Sequence, residues 1–308
     1  MRAIRIERHG GPEVLELRAV QPPEPGPGEL LVDVAAIGVN YRDVYERAIP
    51  DYAGPLPRVV GVEGAGTVRE TGERVAWVDA PGSYAEQAVV SAERAVPVPD
   101  GVSDEHAAAV LLQGITAHYL SSAAYPVAEG DRVVVHAAAG GVGLLLTQLV
   151  RQRGGRVLAT TSSEEKAELA RAVGAEEVIS YDEFRERARG LEADAVYDGV
   201  GAATFDASLE ALRPRGTMVL YGAASGQPAP FAPGSLAARS LFLTRPALHH
   251  YTATRAELLE RTRAVFDANL DVRIGARYPL EGARRAHEDL EARRTTGKLL
   301  LMPNGGRD

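Results

Sequence analysis

The chain has 308 residues, of which 45% are hydrophobic and 25% charged, and its formal net charge is −8 at pH 7. This length favours about two domains, and the acidic balance without a long basic run argues against a protein that mainly binds nucleic acid. Because the chain has no cysteine, disulfides, thiolate zinc sites, iron–sulfur clusters and cysteine nucleophiles are excluded.

The N-terminal stretch MRAIRIERHGG lacks the apolar core of a secretory signal, and no run of about 18 apolar residues occurs in the sequence. We therefore expect a cytoplasmic protein with no membrane partner.

Residues 1 to about 113 contain short β-rich runs separated by glycine and proline, such as RAIRIERHG, VLELRAV and LLVDVAAIGV. This texture predicts a mostly antiparallel sheet. From about Gly114 onward, strand-like and helix-like stretches alternate, which predicts a doubly wound parallel sheet and an α/β fold class. The strand candidates are 132–137, 156–161, 177–180, 194–198 and 216–221, and helical stretches include 164–173 and 203–212.

The tail from about residue 250 contains two helical segments, 254–270 and 281–293, and a closing strand, GKLLLM. These elements have no obvious place in a parallel sheet, so we assign them to the first domain. The expected domains are thus 1–113 with 250–308, and 114–249.

The stretch HAAAGGVG, residues 136–143, lies between a predicted strand and a predicted helix. Positions 138, 140 and 143 read Ala-x-Gly-x-x-Gly, a close variant of the Rossmann dinucleotide fingerprint. Small residues let the backbone approach a pyrophosphate, which rests on the positive end of the following helix. Such a turn can also serve strand-to-helix packing alone, but the next strand ends at the expected distance. We predict dinucleotide contacts from Gly140, Gly141, Val142 and Gly143.

The end of the next strand indicates which dinucleotide is bound. An acidic side chain there would bind the ribose 2′-hydroxyl of NADH, whereas this chain has Thr160, Thr161, Ser162 and Ser163 followed by Lys166. Hydroxyls and one cation suit the 2′-phosphate of NADPH. Lys166 could instead be a solvated surface lysine, yet only two of the 34 basic residues are lysines. We predict NADPH as the cofactor.

The segment GVNYRDVYERAIPDYAGPLPRVVGVEGAGTV, residues 38–68, resembles the medium-chain dehydrogenase/reductase superfamily. In its zinc alcohol dehydrogenases this region supplies a cysteine and a histidine ligand. Here Asn40 and Val62 stand at those positions and no four-cysteine lobe exists, so the resemblance implies that neither zinc is held. Glu63 is interpreted as a buried carboxylate bonded to backbone or an arginine, and Asp43 as a helix-start or packing carboxylate.

Further motifs extend this resemblance nearly end to end: LLQGITAHYL, HAAAGGVG, GAEEVISY, VYDGVG, GTMVLYGAASG, LTRPALHHY and RRAHEDLEARRTTGKLLLMP. Within the superfamily the chain looks like the zinc-free quinone oxidoreductases, the group of zeta-crystallin. The resemblance implies a Rossmann domain with a GroES-like domain, NADPH-dependent reduction of a quinone, and a homodimer joined through the strand at 239–246. Metal loss also favours reduction of an acceptor that is already electrophilic.

Three alternatives stay open at this point. One is an NADPH-dependent alkenal or enone reductase on the same fold. The second is an NADPH-regulated RNA-binding or structural, crystallin-like protein, against which the acidic balance argues. The third is a redox-inert nucleotide sensor, which would bind NADPH tightly without turnover on any acceptor.

The resemblance also implies roles for individual residues. Asn40 and Tyr45 are expected to contact the cofactor ribose or a quinone oxygen, although Tyr45 is equally well explained as a packing aromatic. His136 is expected to pack at its strand end. The remaining cofactor contacts are expected from Thr116 near the nicotinamide, Tyr181 near the adenine or 2′-phosphate, Gly222 and Ser225 after a parallel strand, and Arg294 and Lys298 near the phosphate.

Overall fold

The computed structural model describes residues 1–50, 52 and 54–304. The chain forms two compact units. Among the described residues, the first comprises 1–112, 254–262 and 272–304, and the second comprises 113–253 and 263–271.

Sixteen strands and nine α-helices are found in the described residues. The strands are β1 Arg2–Ile6, β2 Glu16–Ala19, β3 Glu29–Val39, β4 Arg58–Val59, β5 Glu63–Val68, β6 Arg74–Val78, β7 Gln87–Ser91, β8 Ala95–Pro97, β9 Arg132–Val135, β10 Arg156–Thr161, β11 Glu177–Ser180, β12 Ala193–Asp198, β13 Leu212–Leu220, β14 Phe242–Thr244, β15 Ile274–Pro279 and β16 Lys298–Met302. The helices are α1 Tyr41–Ala48, α2 Asp104–Tyr119, α3 Gly141–Gln152, α4 Glu164–Ala172, α5 Tyr181–Arg187, α6 Phe205–Glu210, α7 Leu248–Tyr251, α8 Arg255–Asp267 and α9 Ala283–Glu291.

The first unit is built on a seven-stranded sheet in the order β15-β16-β3-β5-β6-β8, with β7 also paired to β3. Only β15 and β16 run parallel, and the other pairs are antiparallel. A small sheet, β2-β1-β4, accompanies it. The core contains Trp77 and Tyr84, both fully buried, together with the apolar run Leu299, Leu300 and Leu301 of β16. Because successive side chains of a strand point to opposite faces, burial of three in a row shows that both faces of β16 are covered.

The second unit holds a six-stranded, wholly parallel sheet in the order β11-β10-β9-β12-β13-β14. Strands are added outward in one direction from β9 to β11 and in the other from β12 to β14, so the topology reverses between β9 and β12. Ligands bind outside the carboxyl ends of the strands at such a point. The predicted fold class, a doubly wound parallel sheet with a mostly antiparallel β domain, is confirmed.

The structure differs from the expected division of the tail, because residues 263–271 belong to the second unit. The reason lies in two glutamines on the outer face of α3. Gln148 donates to the Asp271 carbonyl at 3.0 Å and accepts from the Asp271 N–H at 2.8 Å, and Gln152 donates to the Ala268 carbonyl at 3.0 Å. No periodicity of the tail itself reveals these contacts.

Across the part of the chain that the structure describes, no helix combines the length and apolarity needed to cross a bilayer.

Candidate functional site

The glycine turn between β9 and α3 is closely packed backbone. Gly140 is the residue before the helix, and Ala137 has a φ of 50°, in the left-handed region. A Cβ on Gly143 would lie 2.5 Å from the Ala137 carbonyl oxygen and 2.7 Å from the Ala138 Cα. Only glycine fits there without moving the turn. The first N–H groups of α3 have no partner within the helix and are available to an anion.

Thr161 and Ser180 pair across the parallel strands β10 and β11, so the residues that follow them are neighbours. Ser162 is exposed, and its hydroxyl accepts from the Lys166 ammonium at 3.3 Å. Ser163 caps α4 by accepting from the Lys166 N–H. Hydroxyls and an ammonium therefore meet beside a helix N-terminus, which is favourable for a phosphate.

The acidic side chains that start α4 do not spoil this arrangement. The Glu164 carboxylate is 71% exposed and forms an ion pair with Arg171, about two helical turns further on. Solvent and the guanidinium both reduce its field at Ser162.

Tyr181 connects this corner to the glycine turn. It is the first residue of α5, and its hydroxyl oxygen accepts from the Ala137 N–H at 3.1 Å. The structure thus brings together seven of the predicted cofactor-binding residues at the carboxyl ends of β9, β10 and β11. They are Gly140, Gly141, Val142, Gly143, Ser162, Lys166 and Tyr181.

Gly222 and Ser225 follow β13, at the same edge of the sheet. A Cβ on Gly222 would lie 2.6 Å from the Gly199 carbonyl oxygen, so the two turns touch through backbone. The Ser225 hydroxyl donates to the Val200 carbonyl at 2.8 Å and accepts from the Ala203 N–H at 3.0 Å. Ser225 therefore holds the turn after β12, and its expected contact with a cofactor stays a prediction.

Thr116 lies on α2 and is buried, with 8% exposure. Its contact with the nicotinamide stays a prediction.

In the first unit, the structure corrects the expectation for Asn40. Its side chain donates to Glu63 at 2.8 Å and to the Gly38 carbonyl at 3.2 Å, and its oxygen accepts from Lys298 at 2.8 Å. The residue is 4% exposed. Both amide hydrogens and the oxygen are used within the fold, so Asn40 has a structural role in place of the expected contact with a ribose or quinone oxygen.

Lys298 requires a second correction. It is 1% exposed, and its ammonium lies 2.5 Å from the Glu63 carboxylate. Glu63 is fully buried and also accepts from the Leu112 N–H at 2.7 Å. Glu63 is a buried carboxylate bonded to backbone, as expected, although its charged partner is a lysine. A cation that is already neutralised inside the core is not available to a cofactor phosphate.

The other two predicted residues of this unit are more exposed. Arg294 forms an ion pair with Asp289 at 2.6 Å and keeps 56% of its side-chain surface, so its role at a phosphate stays a prediction. Tyr45 is half-buried on α1, and its ring lies 5.4 Å from that of Tyr41 and 5.7 Å from that of Tyr52. Its ring packs against two tyrosines, and its contact with a ribose or quinone oxygen stays a prediction.

A third buried group, Asp43, accepts from the Asn40 N–H and the Tyr84 hydroxyl, both at 2.8 Å, and the Tyr84 oxygen lies 3.1 Å from His287 Nε2. Burial and the nearby Glu46 raise the pKa of Asp43 to about 7. Burial, with a smaller effect of Arg47, lowers the pKa of His287 to about 3. The sequence interpretation of Asp43 as a helix-start carboxylate agrees with these contacts.

The raised pKa of Asp43 predicts how stability should change with pH in Asp43→Asn. The folded state retains a proton that the unfolded chain releases, so the parent loses stability as the pH rises from about 4 to about 7. Asparagine is neutral throughout and can still accept from the Asn40 N–H. Relative to the parent, the free energy of unfolding of the variant should rise by at least about 1 kcal/mol from pH 5 to pH 8, as measured by urea denaturation. An equal pH dependence in both proteins would show that Asp43 stays charged.

The donor set around Glu63 does not fit a zinc ion. Asn40 has no free oxygen, Val62 is aliphatic and fully buried, and the Lys298 ammonium holds the cation position beside the carboxylate. In the described parts of the chain, no group of three or more histidine, aspartate or glutamate side chains could hold a metal ion.

Comparisons with known proteins agree with both halves of the fold. Residues 26–100 match the alcohol dehydrogenase GroES-like domain, and residues 141–262 match the zinc-binding dehydrogenase family. A quinone oxidoreductase of Pseudomonas aeruginosa is 41% identical over 97% of this chain and 99% of its own length. A 2-haloacrylate reductase of Burkholderia is 38% identical over 97% of this chain and 98% of its own. A mycobacterial protein solved in complex with NADPH is 46% identical, with a TM-score of 0.95 over 98% of this chain and all of that one.

Proposed function

Because the chain belongs to the quinone oxidoreductases of the medium-chain dehydrogenase/reductase superfamily, we propose that it reduces quinones by hydride transfer from NADPH and without zinc. The observation that carries this proposal is the glycine turn at the carboxyl end of β9. Its backbone admits no Cβ at position 143, and it opens α3 where the strand order reverses. A pyrophosphate fits such a cradle.

The preference for NADPH is supported by the residues that follow β10. Ser162 and Lys166 supply a hydroxyl and an ammonium for the 2′-phosphate, and Tyr181 borders them. No acidic side chain follows β10 directly, since Thr161 to Ser163 are all hydroxyl residues, and the Glu164 carboxylate beyond them is paired with Arg171. Thr116 is proposed at the nicotinamide end, and Arg294 near the phosphate.

NADPH, when bound, supplies a hydride from its nicotinamide ring. The chain's own contribution is to hold the acceptor flat and to exclude competing chemistry, because a quinone is already electrophilic and needs no Lewis acid. One hydride and one proton convert a quinone to its hydroquinone. We assign the proton to Tyr45 or to water, and place Tyr45 beside the acceptor oxygen. A site with few polar anchors tolerates several flat acceptors.

A second candidate is reduction of an activated alkene. The 38% identity to a 2-haloacrylate reductase over nearly the whole chain favours it. The same hydride would then add to a carbon–carbon double bond conjugated to a carbonyl group.

The test is NADPH consumption by the purified protein with 1,4-benzoquinone and with a conjugated enal, each repeated with NADH. We expect turnover with the quinone and NADPH, and much slower turnover with NADH. Faster turnover with the enal would assign the protein to the second candidate. Tight NADPH binding without turnover on either acceptor would contradict both.

The proposal includes a homodimer and a cytoplasmic location. Support for the dimer comes from β14, which pairs with β13 alone at the edge of the parallel sheet and carries Phe242 with 61% exposure. An exposed edge strand is a template for pairing with a second strand. Light scattering of the purified protein measures the mass of the assembly. The location stays a prediction from the sequence.

A further inference from the structure

His136, the residue directly after β9, is enclosed in the second unit. It is fully buried, and its ring packs edge to face against Phe184 at 4.6 Å. Both ring nitrogens have partners. Nδ1 lies 2.8 Å from the Thr160 hydroxyl, and Nε2 lies 3.0 Å from the Ser208 hydroxyl. The sequence interpretation of a residue that merely packs at the strand end therefore misses two hydrogen bonds.

The direction of these hydrogen bonds follows from Asp198, the last residue of β12. One carboxylate oxygen accepts from two backbone N–H groups at 2.7 and 2.9 Å, and the other accepts from the Thr204 hydroxyl at 2.7 Å and the Ser208 hydroxyl at 3.1 Å. We assign both hydroxyls as donors beside the two N–H groups, which leaves Asp198 an acceptor at both oxygens. Ser208 therefore gives its single hydroxyl proton to Asp198.

Ser208 has then only its lone pairs to offer to His136, so Nε2 must carry the proton and donate it. The ring is neutral with a bare Nδ1, to which Thr160 donates. Burial lowers the pKa of His136, against an opposing effect of Asp198, and this keeps Nδ1 an acceptor. The result is one directed chain of hydrogen bonds, Thr160 to His136 to Ser208 to Asp198, across the carboxyl ends of β10, β9 and β12.

The glycine turn is bonded to the surrounding strands and helices at two residues, Ala138 and Ala137. Thr160 accepts from the Ala138 N–H through its carbonyl at 3.2 Å, while its hydroxyl binds His136. Ala137, in its left-handed conformation, donates to the Tyr181 hydroxyl. Two residues after Thr160 comes Ser162. The backbone that carries the proposed phosphate ligands is thus tied to His136 by short covalent and hydrogen-bonded paths.

We propose that His136 is a positioning residue, which holds the glycine turn and the end of β10 in register with the turn after Asp198 through a neutral, Nε2-protonated imidazole. This inference rests on the proposed function, because the elements it aligns are the ones assigned to NADPH. His136 acts through Thr160 and Ser208 and need not touch the dinucleotide.

Two substitutions test the two hydrogen bonds of the imidazole separately. In His136→Gln the side-chain amide can still donate to Ser208 from the position of Nε2, but nothing accepts from Thr160. In His136→Asn the amide oxygen can still accept from Thr160 from the position of Nδ1, but nothing reaches Ser208. Each variant therefore keeps one of the two hydrogen bonds of the imidazole and removes the other.

The measurement is the dissociation constant of NADPH and of NADH for each variant, by fluorescence titration. For His136→Gln we expect NADPH affinity to fall about tenfold, the equivalent of one net hydrogen bond, with little change for NADH. The hydrogen bond with Thr160 supports the proposed 2′-phosphate site at Ser162 and Lys166, which NADH does not use. For His136→Asn we expect both affinities to fall by a similar factor, because the Asp198 turn adjoins the parts that the two dinucleotides share.

Ser121→Ala is the matched control, since Ser121 is a fully buried residue of the same unit whose hydroxyl donates to the Ala117 carbonyl at 2.8 Å. It should lower the melting temperature without changing either affinity. If His136→Gln leaves the ratio of the two affinities unchanged, His136 gives no selective support to the proposed 2′-phosphate site and the inference is overturned.

The tautomer gives a readout that does not depend on the cofactor. Nitrogen NMR of the imidazole should show a protonated Nε2 and a bare Nδ1 at neutral pH, and a protonated Nδ1 would overturn the inference. A parent protein that binds NADPH no better than NADH would instead contradict the proposed cofactor. In that case the tautomer still decides whether the directed chain exists.

Discussion

Replacing Lys298 with methionine should lower the free energy of unfolding by about 3–5 kcal/mol, because it leaves a buried carboxylate without its counter-charge. Glu63 and Lys298 are 0% and 1% exposed, and their charged atoms lie 2.5 Å apart. Glu63 keeps the Leu112 N–H and the Asn40 amide as donors, but neither carries a full charge. The loss of stability should therefore exceed the loss caused by breaking an ordinary surface ion pair.

The measurement is guanidinium denaturation followed by fluorescence of Trp77, the single tryptophan, which is fully buried in the first unit and reports on that unit. Arg284→Met is the control, since the Arg284–Glu288 pair lies in the same unit as Trp77, is 59% and 36% exposed and, as an i,i+4 helix pair, should be worth no more than about 0.5 kcal/mol. The double variant Glu63→Gln with Lys298→Met should recover much of the loss, because no buried charge remains. A loss in Lys298→Met no larger than in the control would mean that water reaches Glu63.

Lys166→Ala should weaken NADPH binding by about 10–100-fold and leave NADH binding unchanged. A hydrogen bond to a charged group contributes about 1.5–3 kcal/mol, and the Lys166 ammonium is the cation beside the exposed Ser162 hydroxyl. NADH lacks the 2′-phosphate, so its affinity should not change. Titration of the dinucleotide fluorescence measures both constants.

Lys166→Arg is the matched control, since it retains the positive charge and should retain most of the preference. The argument for a phosphate site at the end of β10 fails if Lys166→Ala weakens both dinucleotides alike, or neither. That result would assign the hydroxyls of Thr161, Ser162 and Ser163 to capping α4 alone.

The second unit was largely predictable because its signals are local. The β-branched run of β10 and the short run of β11 are bounded by turn residues, and both strands have the predicted ends. The strand before the glycine turn ends two residues earlier than predicted, at Val135. Ala137 adopts a left-handed conformation there, which an apolar run does not indicate.

The first unit was less predictable because its site residues meet across long stretches of chain. Lys298 and Glu63 are 235 residues apart, and nothing near either one indicates the other. From the sequence alone, the lysine in EARRTTGK looks like an exposed residue at a helix end, and the asparagine before a helix looks like a side chain free to bind a ligand. His136 was missed for the same reason, since its partner Ser208 lies 72 residues away on α6.

The place of β16 has a consequence for how the protein is made. It lies between β15 and β3 in the sheet of the first unit, although it is the last strand of the described chain. As the polypeptide leaves the ribosome, the end of β3 that pairs with β16, residues 37–39, stays without this partner while about 260 further residues are synthesised. The parallel sheet of the second unit has all its strands first. A nascent chain stopped before residue 298 thus presents an open β edge and an unneutralised Glu63, both of which favour binding by chaperones or aggregation.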